Sequence, residues 1–395
     1  MSAPIIQGWC PGALRPMMSG DGLVVRVRPR GGRLTSEQAA GIAALSARFG
    51  NGLIDLSARA NVQLRGVREA DHGTLIGGLD ALGLIDASTE AEARRNIAIT
   101  PFWQDGDGVQ VVARALTDAL AAPDAPQTPG KFGYAVDCGV RPILSGVSAD
   151  IRIEAATGGF LVRADGADTG AFATADTVAI RAMDLADWFL ATGGAPEGRG
   201  RMAAHLARGA VLPERFREAS ATPPAAAVRP APGHCAHGFL VGFEFGQMRS
   251  DTLAALSDCG ALRVTPWRML LIEGAQAAPG IAGLITDADN PLLRVTACTG
   301  APGCPQAHAA TRDLARALAP FLPTGLPAEA QLHVSGCAKG CAHPGPAPRT
   351  LAGQPGGTFN LILGGTAAGT PVASGLSPET LAANPASLFE TENAT

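Results

Sequence analysis

With 395 residues the chain exceeds what one hydrophobic core usually supports, so two or three domains are expected. Its apolar fraction of 46% is that of a globular protein, and its longest apolar stretches are too short to span a bilayer. A net charge of -4 argues against a generic polyanion binder such as a nucleic-acid protein, so any anionic ligand must be held by a local cluster of Arg and Lys.

In chain order, GLVVRVR from Gly22 to Arg28 reads as a valine-rich strand, and Thr35 to Gln38 forms a capping box opening a helix with Ile42, Leu45 and Phe49 inward. A strand from Leu53 to Leu56 leads into SARANVQLRG, Ser57 to Gly66, after which Asp71 caps a helix carrying Leu75, Ile76, Leu79 and Leu82. Further on, Thr177 to Leu190 reads as a helix with Ile180, Met183, Trp188 and Phe189 on its apolar side. The first order then returns: GFLVGFEF from Gly238 to Phe245, a helix opening at Ser250 with Leu253 and Leu256, and ALRVTPWRMLLIEG from Ala261 to Gly274. Gly66 and Gly274 close equivalent strands, which indicates a duplicated unit whose halves pair in space.

A second duplication joins EARRNIAITPF, containing Arg95, to PLLRVTACTG, containing Arg294, and YAVDCGV around Cys138 to HVSGCAKGC around Cys337. Both matches carry one offset, since 294 minus 95 and 337 minus 138 are each 199. The strand-like IRIEAATGGFLVRADG from Ile151 and FNLILGGTAAG from Phe359 extend the correspondence. Pro-rich AAPDAPQTPG, Ala121 to Gly130, and the Ala- and Pro-rich stretch from Ala219 to Gly233 read as loop and linker. The chain therefore reads A–B–A′–B′.

The strongest chemical signal lies in B′. Cys298 and Cys304 are separated by five residues, and Cys337 and Cys341 by three, each pair in a loop rich in Gly and Pro. Four thiolates converging from two such loops make an iron–sulfur ligand set, with glycines admitting close backbone approach and N–H groups aimed at sulfur. A structural zinc site would suit the second spacing but not the first. Eight cysteines in a chain with no secretory signal before its first glycine-rich segment point to a cytoplasmic protein that uses thiols for metal or redox chemistry.

The motif and the duplication together resemble the nitrite and sulfite reductase superfamily, whose cluster motif is a cysteine pair followed later by Gly-Cys-x-x-x-Cys. The resemblance covers nearly the whole chain. It implies an α+β fold of duplicated nitrite/sulfite reductase-like architecture, with ferredoxin-like half-domains each followed by a larger α/β domain. The expected boundaries are 1–88 and 234–290 for the half-domains, 89–233 for a larger domain without a cluster, and 291–395 for the one carrying it. Cys298, Cys304, Cys337 and Cys341 would hold a 4Fe-4S cluster. Arg59 in SARANVQLRG, Arg95 in RRNI and Lys131 in PGKFG resemble family cations that surround a macrocycle, and are the expected substrate-binding residues. For Arg26, Arg28 and Arg65 the sequence leaves ligand contact and solvated strand charge equally open. Two departures weigh against a sulfite or nitrite reductase: Gly133 stands where a second lysine belongs, and Pro348 and Arg349 stand where an acidic residue follows the last cysteine.

Within the superfamily, WCPGALRPMMSGDGLVVRVRP, KFGYAVDCG, and SGCAKGCAHP followed by TLAG resemble the precorrin-3B synthase family. That resemblance implies a monooxygenase of cobalamin biosynthesis that hydroxylates precorrin-3A at C20 with dioxygen and closes a γ-lactone. Its implied cofactors are the 4Fe-4S cluster and a mononuclear non-haem iron. Electrons would come from an external donor linked to NADH, because no Gly-x-Gly-x-x-Gly follows a strand here. Cys10 and Cys138 would lie near the active site by the same resemblance. No compact His-x-Asp/Glu signature marks ligands for the single iron, and His234, His237, His333 and His343 are the histidines weighed for it. The alternatives are a sirohaem-dependent sulfite or nitrite reductase and a non-catalytic iron–sulfur electron carrier. Neither nucleic acid nor membrane is an expected partner.

Overall fold

The computed structural model describes residues 11–139, 142–220, 229–323 and 330–389. Among them no helix is long and apolar enough to cross a membrane. The Thr35 capping box forms: the Thr35 hydroxyl accepts from the Gln38 N–H at 3.1 Å, and the Gln38 side chain accepts from the Thr35 N–H at 3.0 Å. It opens helix Ser36–Phe49, which buries Ile42 fully. Asp71 makes no cap bond and turns back to Arg68 instead, although Leu75 and Leu79 of helix His72–Ala81 are buried as the periodicity requires. In helix Val178–Ala191, Phe189 is buried but Ile180 is 58% exposed, so the apolar face is narrower than the sequence pattern.

The first five-stranded sheet runs Met17–Ser19, Gly22–Val27, Val62–Val67, Leu53–Leu56, and its last strand is Gln247–Arg249 from the second half of the chain. The second runs Gly233–Cys235, Gly238–Gly242, Met269–Glu273, Leu262–Val264, and is closed by Arg33–Leu34 from the first half. Each half thus covers the other's open edge, which would otherwise present unpaired backbone groups. Helices Ser36–Phe49 and Ser250–Ser257 pack on each other, and Leu34, Ile42 and Leu64 share one core with Val241, Leu256 and Leu270. The two segments expected as separate half-domains are therefore interlocked. Glu273 joins them further, lying 2.8 Å from Arg33 of the first half and 2.7 Å from Arg263. Burial alone would raise its carboxyl, but the two guanidinium groups hold it below the usual range.

The two larger sheets share a second design. Ile97–Ile99, Tyr134–Asp137 and Ile151–Ala156 run parallel, and Gly159–Ala164 and Thr169–Ala173 return antiparallel, with Ala219–Ser220 at the edge. Val295–Ala297, Leu332–Ser335 and Ala347–Gly353 repeat the parallel part, and Phe359–Gly365 and Ala373–Leu376 the antiparallel part. Equivalent paired residues are 198 apart, since 295 minus 97, 332 minus 134 and 349 minus 151 all give that number. Side-chain parity agrees: Tyr134, Val136 and Ile153 enter one core where Leu332, Val334 and Leu351 enter the other. An offset of 199 would turn every one of them to the opposite face. The correspondence drawn from sequence is therefore out by one residue, and Arg294 matches Asn96 while Cys337 matches Gly139.

Candidate functional site

A cavity of about 920 Å³ opens where all four segments meet. The strands Leu53–Leu56 and Val62–Val67 supply Asp55, Arg59 at their connection, and Arg65, while Gly22–Val27 supplies Arg26. Lys131, Arg201 and the loop from Ile143 to Ser148 come from the first large sheet's domain, Arg229, Trp267 and Arg268 from the second half, and Cys298, Arg312, Cys341 and His343 from the last. Among the described residues on its wall, eight are cationic and Asp55 is the single carboxylate. In a chain of net charge -4 this is a concentrated positive field, and a cavity of this size suits a large anionic ligand.

Part of that charge is structural. Arg65 pairs with Asp21 at 2.7 Å and lies 3.7 Å from Asp55. Asp55 also accepts from the Gln247 side chain at 2.7 Å, and Gln247 in turn accepts from Arg312. The exchanged strand Gln247–Arg249 thereby ties the first sheet to helix Arg312–Leu318 beside Cys298. Arg201 is held by Asp150 at 2.9 Å. Arg59 donates to the Lys131 carbonyl at 3.0 Å, bringing two of the expected substrate-binding residues onto one stretch of wall, with the Lys131 side chain exposed.

Arg95 is not with them. It is 6% exposed, forks onto Asp86 through two bonds of 2.8 Å, and donates to the Arg28 carbonyl at 3.0 Å. A guanidinium locked in that way is a structural tie between the first half and the first large domain, so the expectation of substrate contact is corrected. Arg28 is likewise buried, 3.5 Å from Glu92, whereas Arg26 and Arg65 line the cavity. Gly133 has little room for a side chain, since a Cβ there would stand 3.2 Å from the Asn96 carbonyl oxygen.

The cysteine loops converge beside the cavity. The Gly336 N–H donates to Cys298 Sγ at 3.2 Å, and Thr311 Oγ1 to the Cys298 carbonyl at 2.7 Å. The first loop is pinned by the N-terminal hairpin, where Gly20 N–H and Ser19 Oγ donate to the Gly303 carbonyl at 3.2 and 2.9 Å. Glycine is required at Gly336, where a Cβ would meet the Ala307 Cβ at 2.7 Å. The Cys341 thiol is pushed up by burial, opposed by Lys339 and reinforced by Cys337, Cys298 and Cys304, so it lies within electrostatic reach of the other three sulfurs. Among the described residues no group of three or more His, Cys, Asp or Glu is tight enough for a single metal ion. A cluster that carries one thiolate per corner spreads its ligands more widely than one ion bonded at ~2.3 Å to each sulfur.

Cys138 is 5% exposed in the first large core, its thiol donating to the Ile153 carbonyl at 3.6 Å, and it does not line the cavity. Cys10 lies outside the described residues. His234 is exposed on its strand and His237 stacks on Phe102 at 5.8 Å. His333 is fully buried with neither ring nitrogen hydrogen-bonded, 5.6 Å from the His343 ring. Burial, with His343 and Arg268, pushes it down to about 4, so it stays neutral.

Asp137 is a feature the sequence reading passed over. Its Oδ2 accepts from the Ile143 and Leu144 N–H groups, both at 2.6 Å, and so holds the loop that walls the cavity, while Oδ1 is unbonded. Burial raises this carboxyl to about 6 against the pull of those two N–H groups. Because the folded value exceeds the unfolded one, the folded state binds the extra proton between pH ~4 and ~6, and stability falls as pH rises through that window by about 2–3 kcal/mol. Asp137→Asn removes the titration, so its stability relative to the wild type should improve by that amount between pH 4 and pH 7.5 in thermal or urea unfolding. Parallel curves for the two proteins would refute the assignment.

Residues 15–82 match the family model described as Nitrite/Sulfite reductase ferredoxin-like half domain. A structure of the Mycobacterium tuberculosis NirA protein is similar over 94% of this chain and 82% of its own, with a TM-score of 0.63 and 17% identity, a likeness of fold. A precorrin-3B synthase from Sinorhizobium sp is 30% identical over 406 residues, covering 94% of this chain and 86% of that relative. With identity at that level across nearly the full length of both proteins, the chain belongs to the precorrin-3B synthase family and is an oxidoreductase of α+β, nitrite/sulfite reductase-like fold.

Proposed function

We propose that this protein converts precorrin-3A to precorrin-3B, hydroxylating C20 with dioxygen and closing the γ-lactone from the ring A acetate. The observation that carries the reading is the cationic cavity with Cys298 and Cys341 on its wall, whose size and charge would suit a carboxylate-edged macrocycle beside the cysteine loops. Placing one oxygen atom in the product and the other in water consumes two electrons and two protons per turnover. An external donor linked to NADH would supply the electrons.

Cys298, Cys304, Cys337 and Cys341 would hold the 4Fe-4S cluster, and the Gly336 N–H on Cys298 Sγ suits a ligand that is anionic when bound. When bound, such a cluster passes electrons singly. Arg59 and Lys131 would grip peripheral carboxylates, while the Asp21–Arg65–Asp55 ties hold the wall in shape. His333 and His343 are the histidines nearest one another here, yet no third ligand joins them among the described residues, so no step is drawn through a mononuclear iron. Gly133 and the buried Arg349 leave out side chains that a sulfite or nitrite reductase would use, and sirohaem is not part of this reading.

The test is anaerobic purification followed by metal analysis and turnover. About four irons with matching acid-labile sulfide are expected, with precorrin-3A consumed only when dioxygen and a donor are both present. Sirohaem bands with sulfite or nitrite reduction would overturn the reading.

A further inference from the structure

The duplicated halves build the same turn at the cavity. In the first, Ser57 Oγ accepts from the Arg59 and Asn61 N–H groups at 3.3 and 3.2 Å; in the second, Thr265 Oγ1 accepts from Trp267 and Met269 at the same two distances. The turn needs a left-handed residue in its middle, filled by Ala60 with φ 54 in one copy and by Arg268 with φ 62 in the other. Any residue with a Cβ is strained at such a φ. Room for the Arg268 side chain is made by Gly246, itself left-handed at φ 71, where a Cβ would stand 2.6 Å from the Arg268 Cβ.

Arg268 stands where the main cavity meets a second recess of about 370 Å³, lining both. Its Nη2 donates to the Ala342 carbonyl at 2.9 Å, directly after Cys341, which fixes the fork in place. Among the described residues no carboxylate lies within ion-pair distance of it, in contrast to Arg65, Arg201 and Arg312. Arg268 is half-buried, and burial lowers its pKa, with Arg312 reinforcing the shift and the more distant Asp55 opposing it.

We infer that Arg268 is the built-in anchor for one carboxylate of the bound macrocycle, gripping it at the mouth of the recess beside the Cys341–His343 loop and so setting which edge of the ring faces the cysteines. The inference rests on the cavity being the macrocycle site proposed above. The duplicated turn of the first half, with Ala60 at that position, has no such anchor, so the ligand would be read asymmetrically by a pseudo-symmetric frame.

The test titrates uroporphyrin I, an octacarboxylate macrocycle, into the full chain purified anaerobically, following Soret shift and Trp quenching at low and high salt. Arg268→Gly suits the left-handed backbone, so its melting temperature should equal or exceed the wild type's. Its affinity should nevertheless fall about 10–100-fold. Arg268→Lys should recover only part of that loss, and the deficit should persist at high salt because the contact is short-ranged. Arg268→Ala, which reproduces the first half's residue, should behave like the glycine variant and serves if that variant does not fold. Wild-type affinity in a folded Arg268→Gly or Arg268→Ala protein would overturn the anchor while leaving the macrocycle site standing. Failure of the wild type to bind uroporphyrin I would overturn the site itself, and the anchor with it.

Discussion

Replacing Cys341 by serine should abolish iron–sulfur absorption and turnover together, with iron and acid-labile sulfide falling to background. Serine offers a hydroxyl that does not ionise near neutral pH, whereas the cluster is held by thiolates. The loss should be selective, because Cys341 is one residue of a wall drawn from all four segments, and of the cations proposed to hold substrate Arg59 is anchored on the Lys131 carbonyl while the bond of Arg268 is to the Ala342 backbone, which the serine variant keeps. Uroporphyrin binding should therefore stay within a few-fold of wild type while electron delivery is gone. The same substitution at Cys259, exposed at the end of helix Ser250–Ser257 with its thiol on the Ala255 carbonyl, should change neither property. Wild-type iron and sulfide in the Cys341→Ser protein would refute the ligand set.

The local elements were legible because they rest on local rules. The Thr35–Gln38 box, the buried Ile42 and the paired left-handed glycines Gly66 and Gly274, at φ 68 and 70, each follow from a few neighbouring residues. The exchanged strands were not, because Arg33–Leu34 and Gln247–Arg249 have two and three residues, too few to show alternation, and their partners are far away in sequence. The one-residue error in aligning the larger sheets has a similar origin: motif letters carry no side-chain parity, and only the strand ladders show which face each residue takes.

The site divides along the same line. Arg59 and Lys131 reach the cavity wall from motifs, but Arg95, drawn from the same kind of motif, is captured by Asp86 nine residues before it. Nothing in its neighbouring letters distinguishes a free cation from a paired one. Arg268 carried a signal that was present and passed over: TPWRM occupies the place of SARAN in the duplicated unit, so an arginine stands where the other copy has alanine. Reading the repeat position by position, rather than by element, would have exposed it. Arg201 and Arg312 gave no such signal, since only the fold brings their elements to the cavity.

The interlocked halves lead to the second large effect. A chain cut between Ser220 and Arg229 should give two fragments whose half-domain sheets fold only together. Co-expressed, they should copurify as a one-to-one complex that keeps the cavity; expressed singly, each should melt well below the intact protein, because only the core of its larger sheet is complete. The shared core explains why. The second half contributes ten buried apolar side chains to it, among them Phe239, Met248, Leu253, Leu256, Leu262 and Ile272, packed with Leu34, Ile42 and Leu64 of the first. At ~1.5–3 kcal/mol for each such side chain fully exposed, losing half of that contribution amounts to about 7–15 kcal/mol, the size of a domain's whole net stability. Each fragment would also present a bare sheet edge, at Leu53–Leu56 in one and Leu262–Val264 in the other, with Glu273 deprived of Arg33. The sharpest readout is reciprocal: Gln247 comes from the second fragment yet bonds Asp55 of the first at 2.7 Å, so only the reassembled complex can restore the Asp55–Gln247–Arg312 connection between the cavity wall and the helix beside Cys298. Uroporphyrin binding should accordingly be absent from each fragment and return on mixing. A single fragment that melts cooperatively near the intact protein's temperature would show that the exchanged strands are ornament to two self-sufficient halves, and would overturn the interlocked frame on which the site is built.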